Sequence, residues 1–499
     1  MLVLYNPVSS AGRKPILPMS LLALGAVLEG KHDYHIIDGN LHDDRLGTLT
    51  AAILETDTLV LGVTVMPGPQ LHDAAPLCEA LKQRFPQLTI VWGGYFPTQH
   101  YAACLRAEYV DYVVRGHAEL AFLQLLDCLR DGGDPLTIAG VIGKNSFAAP
   151  ADPLTLSERF VASMPAIPHP EQLPDFPYQH LPMERYLRRT FLGSRTLPHH
   201  SSYGCPFFCN FCAVVNMVNG RWLAQSAERT ASTVRHLVET YGANAIEFYD
   251  NNFFVHEART REFAARISDL SISWWGEARI DTLLKYPDTT WQTMRASGLK
   301  MIFLGAESGS DETLQRMNKG GTATTEKTLA LAAKMRDYAI VPEMSFVLGN
   351  PPDPEADVDT TLRFIRKLKR VNPATEIILY LYTPVPLAGE LFEQAQAQGF
   401  RFPETIEGWL SPEWQEFSQR RSATMPWLHD PLRRRIRNFE RVLNAYYPTT
   451  TDMRLRGPRR ALLRGMAAWR YQLGIYHFPV ELRAMQRLFA YQRPETASF

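Results

Sequence analysis

Ser202-Tyr203-Gly204-Cys205-Pro206-Phe207-Phe208-Cys209-Asn210-Phe211-Cys212 puts half of the chain's six cysteines within eight residues, at C-x3-C-x2-C spacing. Thiolates this close ligate a soft metal from a single loop, and iron–sulfur clusters are held by cysteines at short intervals of this kind. Gly204 and Pro206 mark a tight turn that wraps a ligand. Two ligand sets stay open from spacing alone. One is three cysteines on a cluster of four irons, which leaves one iron free of protein; the other is a zinc site completed by His199 or His200. An iron free of protein is a reactive position, by the logic that separates an open catalytic zinc from a closed structural one.

At 499 residues the chain exceeds one ordinary core and reads as two or three domains. Hydrophobic residues at 45% and charged residues at 21% are globular values. Fifty-two basic residues balance fifty-two acidic ones, so no global field recruits nucleic acid. Cys78, Cys104 and Cys128 stand singly in apolar or helical surroundings, as small buried hydrophobes do. With no disulfide framework, the expected compartment is reducing and cytoplasmic. The apolar run Ile16 to Leu28 follows Arg13 and Lys14 but comes after a strand-like Leu2–Tyr5 and precedes no cleavage pattern, so it is not read as a secretion signal. No apolar stretch reaches the roughly 18 to 20 residues that span a bilayer.

Short apolar strands alternate with helical stretches over most of the chain, which predicts an α/β fold. In the N-terminal third the strands are expected at Leu2–Tyr5, His35–Ile37, Thr58–Val65, Thr89–Trp92 and Tyr112–Val114, with helices at Ser20–Glu29, Leu71–Arg84 and Leu120–Leu129. Ligands in such sheets bind beyond the carboxyl ends of the strands. Prolines 150, 153, 165, 168, 170, 174, 177 and 182 then break any regular element, and Phe160, Phe176, Tyr178 and Tyr186 suit this segment to dock on a surface. After the cysteine loop the strands expected are Ala245–Tyr249, Trp274–Ala278, Met301–Leu304, Val341–Leu348 and Ile377–Tyr382. With one more just before Cys205 they make six β/α units, three quarters of a TIM barrel.

Phe211, the aromatic before the last cysteine, completes a C-x3-C-x-aromatic-C pattern that resembles the radical S-adenosylmethionine (SAM) enzymes. In that family three thiolates hold a [4Fe-4S] cluster, SAM chelates the fourth iron, and one electron cleaves it to a 5′-deoxyadenosyl radical. The resemblance makes Cys205, Cys209 and Cys212 the cluster ligands. The block Val91–Thr98, with Tyr112–Glu119, Asp38-Gly39-Asn40 and Thr64-Val65-Met66, is similar to the cobalamin-binding domain that precedes many radical SAM domains. It implies cobalamin contacts from Asp38, Thr64, Met66, Gly93, Gly94, Tyr95, Pro97 and Gly116. Where some cobalamin domains carry D-x-H-x-x-G, Asn40 stands two after Asp38 and His42 two further on, so cobalt without a histidine ligand from that loop is expected. A domain that keeps the fold and has lost the corrin is the competing reading.

The implied architecture is an N-terminal Rossmann-like cobalamin-binding domain (1–145), a Pro-rich connection (146–195), a partial (β/α)6 radical SAM barrel (196–400) and a helical C-terminal cap (401–499). For SAM itself, Arg279 suits the carboxylate through a bidentate pair, and Glu307 and Ser308 the ammonium or ribose hydroxyls. Asp250 or Asn251 suits the polar edge, and backbone near Phe211 and Leu348 the adenine. Each polar residue at a strand end can instead cap the next helix, Ser308 and Asp250 most readily.

The last hundred residues interleave basic runs (Arg433–Arg437, Arg454, Arg456, Arg459, Arg460, Arg464, Arg470) with Trp414, Trp427, Trp469, Tyr471, Tyr476 and Phe478. A solvated arginine face over an aromatic core is the favoured reading, and contact with an acidic substrate or a membrane face the other. The resemblance implies methyl transfer to an unactivated carbon of a small molecule, or else cyclisation or rearrangement with the same cofactors. It also implies an external electron donor such as flavodoxin or ferredoxin, because no second cluster motif is present. A non-catalytic metal protein is the reading from another class. Methylthiotransferases are disfavoured, since their N-terminal cysteine triplet has no counterpart in the dispersed Cys78, Cys104 and Cys128.

Overall fold

The computed structural model describes residues 1–9, 15–144, 164–319, 322–386, 389–418, 425–449, 455 and 457–489. Pro150, Pro153, Phe160, Arg13, Lys14, Arg454 and Arg456 lie outside them. The N-terminal sheet contains β1 (Leu2–Asn6), β2 (Tyr34–Asp38), β3 (Val60–Thr64), β4 (Thr89–Gly93), β5 (Tyr112–Val114) and β6 (Val141–Gly143), in the order β2-β1-β3-β4-β5-β6. All neighbours are parallel except β6, which returns antiparallel to β5. Every residue of β1 is buried, as is Val60 to Val63 of β3, because helices cover both faces of the sheet. The chain reverses direction across the sheet between β1 and β3, which opens a crevice beyond their carboxyl ends.

Two helices of the N-terminal third were not legible in the sequence. Arg45–Thr56 carries Gly47 and three threonines and buries only Leu49, Thr50 and Ile53; its start is fixed by Asp44, whose carboxylate accepts from Gly47 N at 2.9 Å. Tyr95–Arg106 starts directly after Gly94, inside the Val91–Thr98 block, with Pro97 in the first turn, where a missing N–H costs nothing.

The second sheet runs β7 (Thr196–His199), β10 (Ala245–Phe248), β11 (Ser273–Ala278), β12 (Leu299–Glu307), β13 (Val341–Leu348) and β14 (Glu376–Leu381), all parallel and in chain order. No pairing joins β7 to β14 among the described residues, so the barrel is open. The strand next to Cys205 is not the barrel's first. β8 (Ser202–Gly204) leaves the barrel and pairs antiparallel with β9 (Trp222–Ala224), a hairpin that brackets the cysteine loop.

The connecting segment docks as its aromatic content predicts. Tyr186 OH donates to Asp38 at 2.8 Å, and Arg229 donates to the carbonyls of Pro170, Glu171 and Leu173 and to Asp175. At the C-terminus three helices, Asp430–Tyr446, Pro458–Leu473 and Val480–Phe489, pack together. No described helix is long and apolar enough to cross a membrane.

Candidate functional site

Asp250 follows β10 and is fully buried, accepting from Ser201 N at 3.1 Å, from Ser201 Oγ at 2.8 Å and from Ser202 Oγ. It caps no helix and faces no open space; it anchors the turn where β7 gives way to β8, two residues before the cysteine loop. The carboxylate offered for the polar edge of SAM is thus committed to this turn. Asn251 beside it is exposed, and Asn252 is buried with Nδ2 3.7 Å from Cys205 Sγ. Asn252 was missed because a second asparagine in a turn carries no spacing signal.

The loop itself is tied to the segment after β12. Asn210 N donates to Met317 O at 3.0 Å, Asn210 Nδ2 to Arg316 O at 2.8 Å, and Asn318 Nδ2 to Phe208 O at 2.9 Å. Arg279, just past β11, lies over the Phe207 ring with Cζ 3.7 Å from its centroid and turns Nη1 to Cys209 Sγ at 3.6 Å. Its bidentate edge is not free for a cofactor carboxylate: Nε and Nη2 each reach Asp281 at 3.0 Å, and Nη2 also donates to Lys319 O at 2.8 Å. Glu307 ends β12 at φ +63°, buried, and pairs with Lys319 Nζ at 2.6 Å. Gly305 makes room for that pair, since a Cβ there would lie 2.6 Å from Lys319 Nζ. Ser308 Oγ accepts from Ser310 N at 3.1 Å and sits 3.4 Å from Thr361 Oγ1; the cap of the next helix, its other expected role, falls to Ser310 instead. Lys319 gave no sequence signal, because only the fold brings it to Glu307.

None of the six cysteines is joined in a disulfide. Burial pushes the Cys212 thiol up to about 12 and raises Cys205 and Cys209, while Arg279 and Lys319 pull the latter two the other way. Among the described residues no three His, Cys, Asp or Glu side chains converge on one metal ion. His199 lies elsewhere, packed among Phe176, Tyr178 and Phe248, with burial lowering its pKa to about 4.

Further round the mouth, Leu348 ends β13 and its carbonyl accepts from Tyr382 N at 2.9 Å, while Phe211 is half-buried against the core. Trp427 Nε1 donates to Gly349 O at 3.0 Å, bringing the C-terminal region over this rim. Asn252 Oδ1, Asn350 Oδ1 and Tyr382 OH are buried polar atoms with no protein partner, at the carboxyl ends of β10, β13 and β14. Three such atoms around one mouth fit a polar ligand such as SAM.

Inside the barrel, β11 alternates buried Trp274, Gly276 and Ala278 with half-buried Ser273, Trp275 and Glu277. Trp274 packs outward on Phe263, so Trp275 and Glu277 face the lumen. Trp275 Nε1 reaches across to Glu343 at 3.1 Å, and Tyr249 OH donates to Glu247 at 2.9 Å. Glu277 has no hydrogen bond or ion pair among the described residues, and burial, then the Asp250 charge, pushes its pKa up to about 8.

In the N-terminal domain the expected cobalamin residues divide. Asp38 is spent on structure: its carboxylate accepts from Asn6, Asn40 and Tyr186. Gly116 is covered by the connecting segment, where a Cβ would lie 3.2 Å from Met164 Sδ and 3.4 Å from Pro165 Cδ. Gly94, at φ +93°, is required by the backbone, since a Cβ would press on Thr64 Oγ1 and Val65 N. At Gly93 the space above is open, with only Val114 O at 3.5 Å. Met66 is 47% exposed at the end of β3, Thr64 and Tyr95 are half-buried, and Pro97 is buried in the helix that starts there. An uncovered thioether beside an open glycine fits a broad, partly apolar ligand such as a corrin.

Those strand ends face the cysteine loop. Asn216 Nδ2 donates to Gln99 Oε1 at 2.8 Å, Gln99 Nε2 contacts Ala213 O at 3.4 Å, and the His117 ring stacks on Tyr203 at 4.4 Å.

Two family descriptions match the chain, the B12 binding domain over residues 12–126 and the Radical SAM superfamily over residues 200–365. The chain belongs to the radical SAM enzymes that carry a B12-binding domain, and its cofactors are a [4Fe-4S] cluster, SAM and cobalamin. Its relatives include an uncharacterised methyltransferase of Pyrococcus horikoshii, 27% identical over 70% of this chain and 73% of that one. The anaerobic magnesium-protoporphyrin IX monomethyl ester cyclase of Synechocystis sp. is 25% identical over 67% of each. Among solved structures, the radical SAM methyltransferase TsrM of Kitasatospora setae, with cobalamin and [4Fe-4S] cluster bound, shares the fold at TM-score 0.63, with 16% identity over 98% of both chains.

Proposed function

We propose that this chain is a cobalamin-dependent radical SAM methyltransferase acting on an unactivated carbon of a small molecule. The observation that carries the reading is the apposition of the two ligand-binding ends: Gln99 and His117 of the N-terminal domain touch Asn216, Ala213 and Tyr203 on either side of the three cysteines. When bound, the cluster and SAM supply a carbon-centred radical and cobalamin supplies a methyl group. Cys205, Cys209 and Cys212 hold the cluster, and Arg279 fixes Phe207 and faces Cys209. Asn252, Asn350 and Tyr382 turn unpaired polar atoms to SAM. Thr64, Met66, Gly93 and Tyr95 border the corrin. The chain's own contribution is position, holding two cofactor sites and the lumen against each other, and positioning of this kind supplies much of a rate.

Trp275, Tyr249 and Glu277 line the lumen where the substrate enters. Electrons come from an external donor, flavodoxin or ferredoxin, and the protein acts in the cytoplasm. The cyclase relative favours a second outcome with the same cofactors, and product mass separates the two. Reconstituted protein, given SAM, methylcobalamin, a reductant and candidate extracts, is expected to yield 5′-deoxyadenosine and a product heavier by one methylene. Product without added methylene would assign cyclisation or rearrangement. A reduced protein with no cubane signal perturbed by SAM would refute both.

A further inference from the structure

Helix Asp430–Tyr446 and helix Val480–Phe489 enclose a groove of about 640 Å³ lined by Arg434, Arg437, Arg441, Arg483 and Arg487, with no carboxylate among its walls. The first three recur at i, i+3, i+7 and the last two at i, i+4, so each helix presents one stripe of guanidinium groups. Arg483 leans on Asn438 at 3.3 Å and Arg441 on Gln486 at 2.8 Å; Arg434 and Arg437 make no hydrogen bond among the described residues and feel only the Asp430 carboxylate, which Arg433 already pairs, and Arg487 makes none. In a chain of zero formal net charge this concentration is local, and like charges around one cavity repel unless an anion joins them.

The same cap exposes apolar side chains. Of fifteen large hydrophobic residues exposed in the described chain, seven fall between Leu462 and Leu488. Leu462, Trp469 and Leu473 share one stripe of their helix, at 52%, 47% and 69% exposure. The turn that follows carries Phe478, 77% exposed, and leads into Val480 on the helix that supplies Arg483 and Arg487. That turn is held rigid: buried Arg470 donates to His477 O at 2.8 Å, to Phe478 O at 3.2 Å and to Glu481. Phe478 is therefore fixed outward, with its backbone at φ +45°, a region bulky residues rarely enter.

We infer that this C-terminal cap docks on an anionic phospholipid surface, its arginine groove taking phosphates and its exposed aromatic and aliphatic side chains entering the headgroup boundary. A free phosphate would need only the groove and would leave the apolar stripe unexplained. Arginine beside exposed Trp, Phe and Leu is the composition of an interfacial element. The inference is independent of the reaction proposed above.

The test is flotation of the anaerobically purified full chain with vesicles of phosphatidylcholine alone or with phosphatidylglycerol. Binding only to anionic vesicles, weakened by salt, is expected. Basic residues near such a surface contribute about fivefold each, so the triple variant R434Q/R437Q/R487Q should bind about 100-fold more weakly. F478S/W469S should also lose binding, and both variants should keep the wild-type circular dichroism and melting point. No partition into anionic vesicles at low salt would overturn the inference. So would self-association that F478S abolishes without vesicle binding, or complete inhibition by millimolar inorganic phosphate.

Discussion

Replacing Glu277 by Gln tests the electrostatics of the lumen directly. The carboxyl faces the barrel interior beside Trp275, without a partner, and its pKa stands near 8 against an ordinary 4.5. Burial disfavours the charged form, and the Asp250 carboxylate adds to it. The folded protein therefore holds this proton to higher pH than the unfolded chain does. Stability is undiminished below about 4.5 and falls as pH rises towards 8, at about 1.4 kcal/mol per pH unit. Over that window the ceiling is about 5 kcal/mol, and partial exposure brings the expectation to about 2–4 kcal/mol. Glutamine fills the same space with no charge to bury, so E277Q should escape the loss. Melting curves of both proteins, taken anaerobically from pH 4.5 to 9, should separate by several degrees above pH 8 and draw together towards pH 4.5. A protonated-carboxyl infrared band at pH 7, absent in E277Q, is the second readout. Curves that stay parallel across the range, with no such band, would refute the argument.

Asp250→Ala removes the acceptor that holds Ser201 and Ser202 ahead of the cysteine loop; a loss of about 3–4 kcal/mol and fewer irons per chain are expected, measured by melting and by iron and sulfide analysis. Arg279→Lys cannot fork onto Asp281 or stack flat on Phe207. Its affinity for a non-cleavable SAM analogue, read by equilibrium dialysis, should fall about tenfold with iron content retained, and unchanged affinity would remove Arg279 from the site.

The sheets were legible because parallel strands covered on both faces read as unbroken apolar runs, and the cysteine loop because its ligands lie within eight residues. Helix Arg45–Thr56 was hidden by threonine and Gly47, poor helix formers made helical by Asp44 at the start and by packing. Positions at strand ends were legible, but side-chain roles were not. Asp250 and Asp38 are both strand-end acids, yet each is turned inward and consumed by neighbours up to 148 residues away. Lys319 and Tyr382 join the mouth only through the curvature of the open barrel, which no local pattern encodes.

Two buried ion pairs stand behind the cysteine loop, Arg279–Asp281 and Lys319–Glu307, linked by the bond from Arg279 Nη2 to Lys319 O. Removing such charges from water costs several kcal/mol per ion, and apolar groups of the same shape often serve stability as well or better. Their use here is positional: one pair orients the guanidinium at Cys209, the other closes the bulge of β12 beside Gly305. A double-mutant cycle separates this from a stabilising role. Lys319→Met alone strands Glu307 and should cost about 3–5 kcal/mol, while K319M with E307M should recover most of it. If the pair is positional, the double variant will melt near wild type yet bind the SAM analogue at least tenfold more weakly. A double variant that regains both stability and affinity would show that the mouth does not depend on these charges.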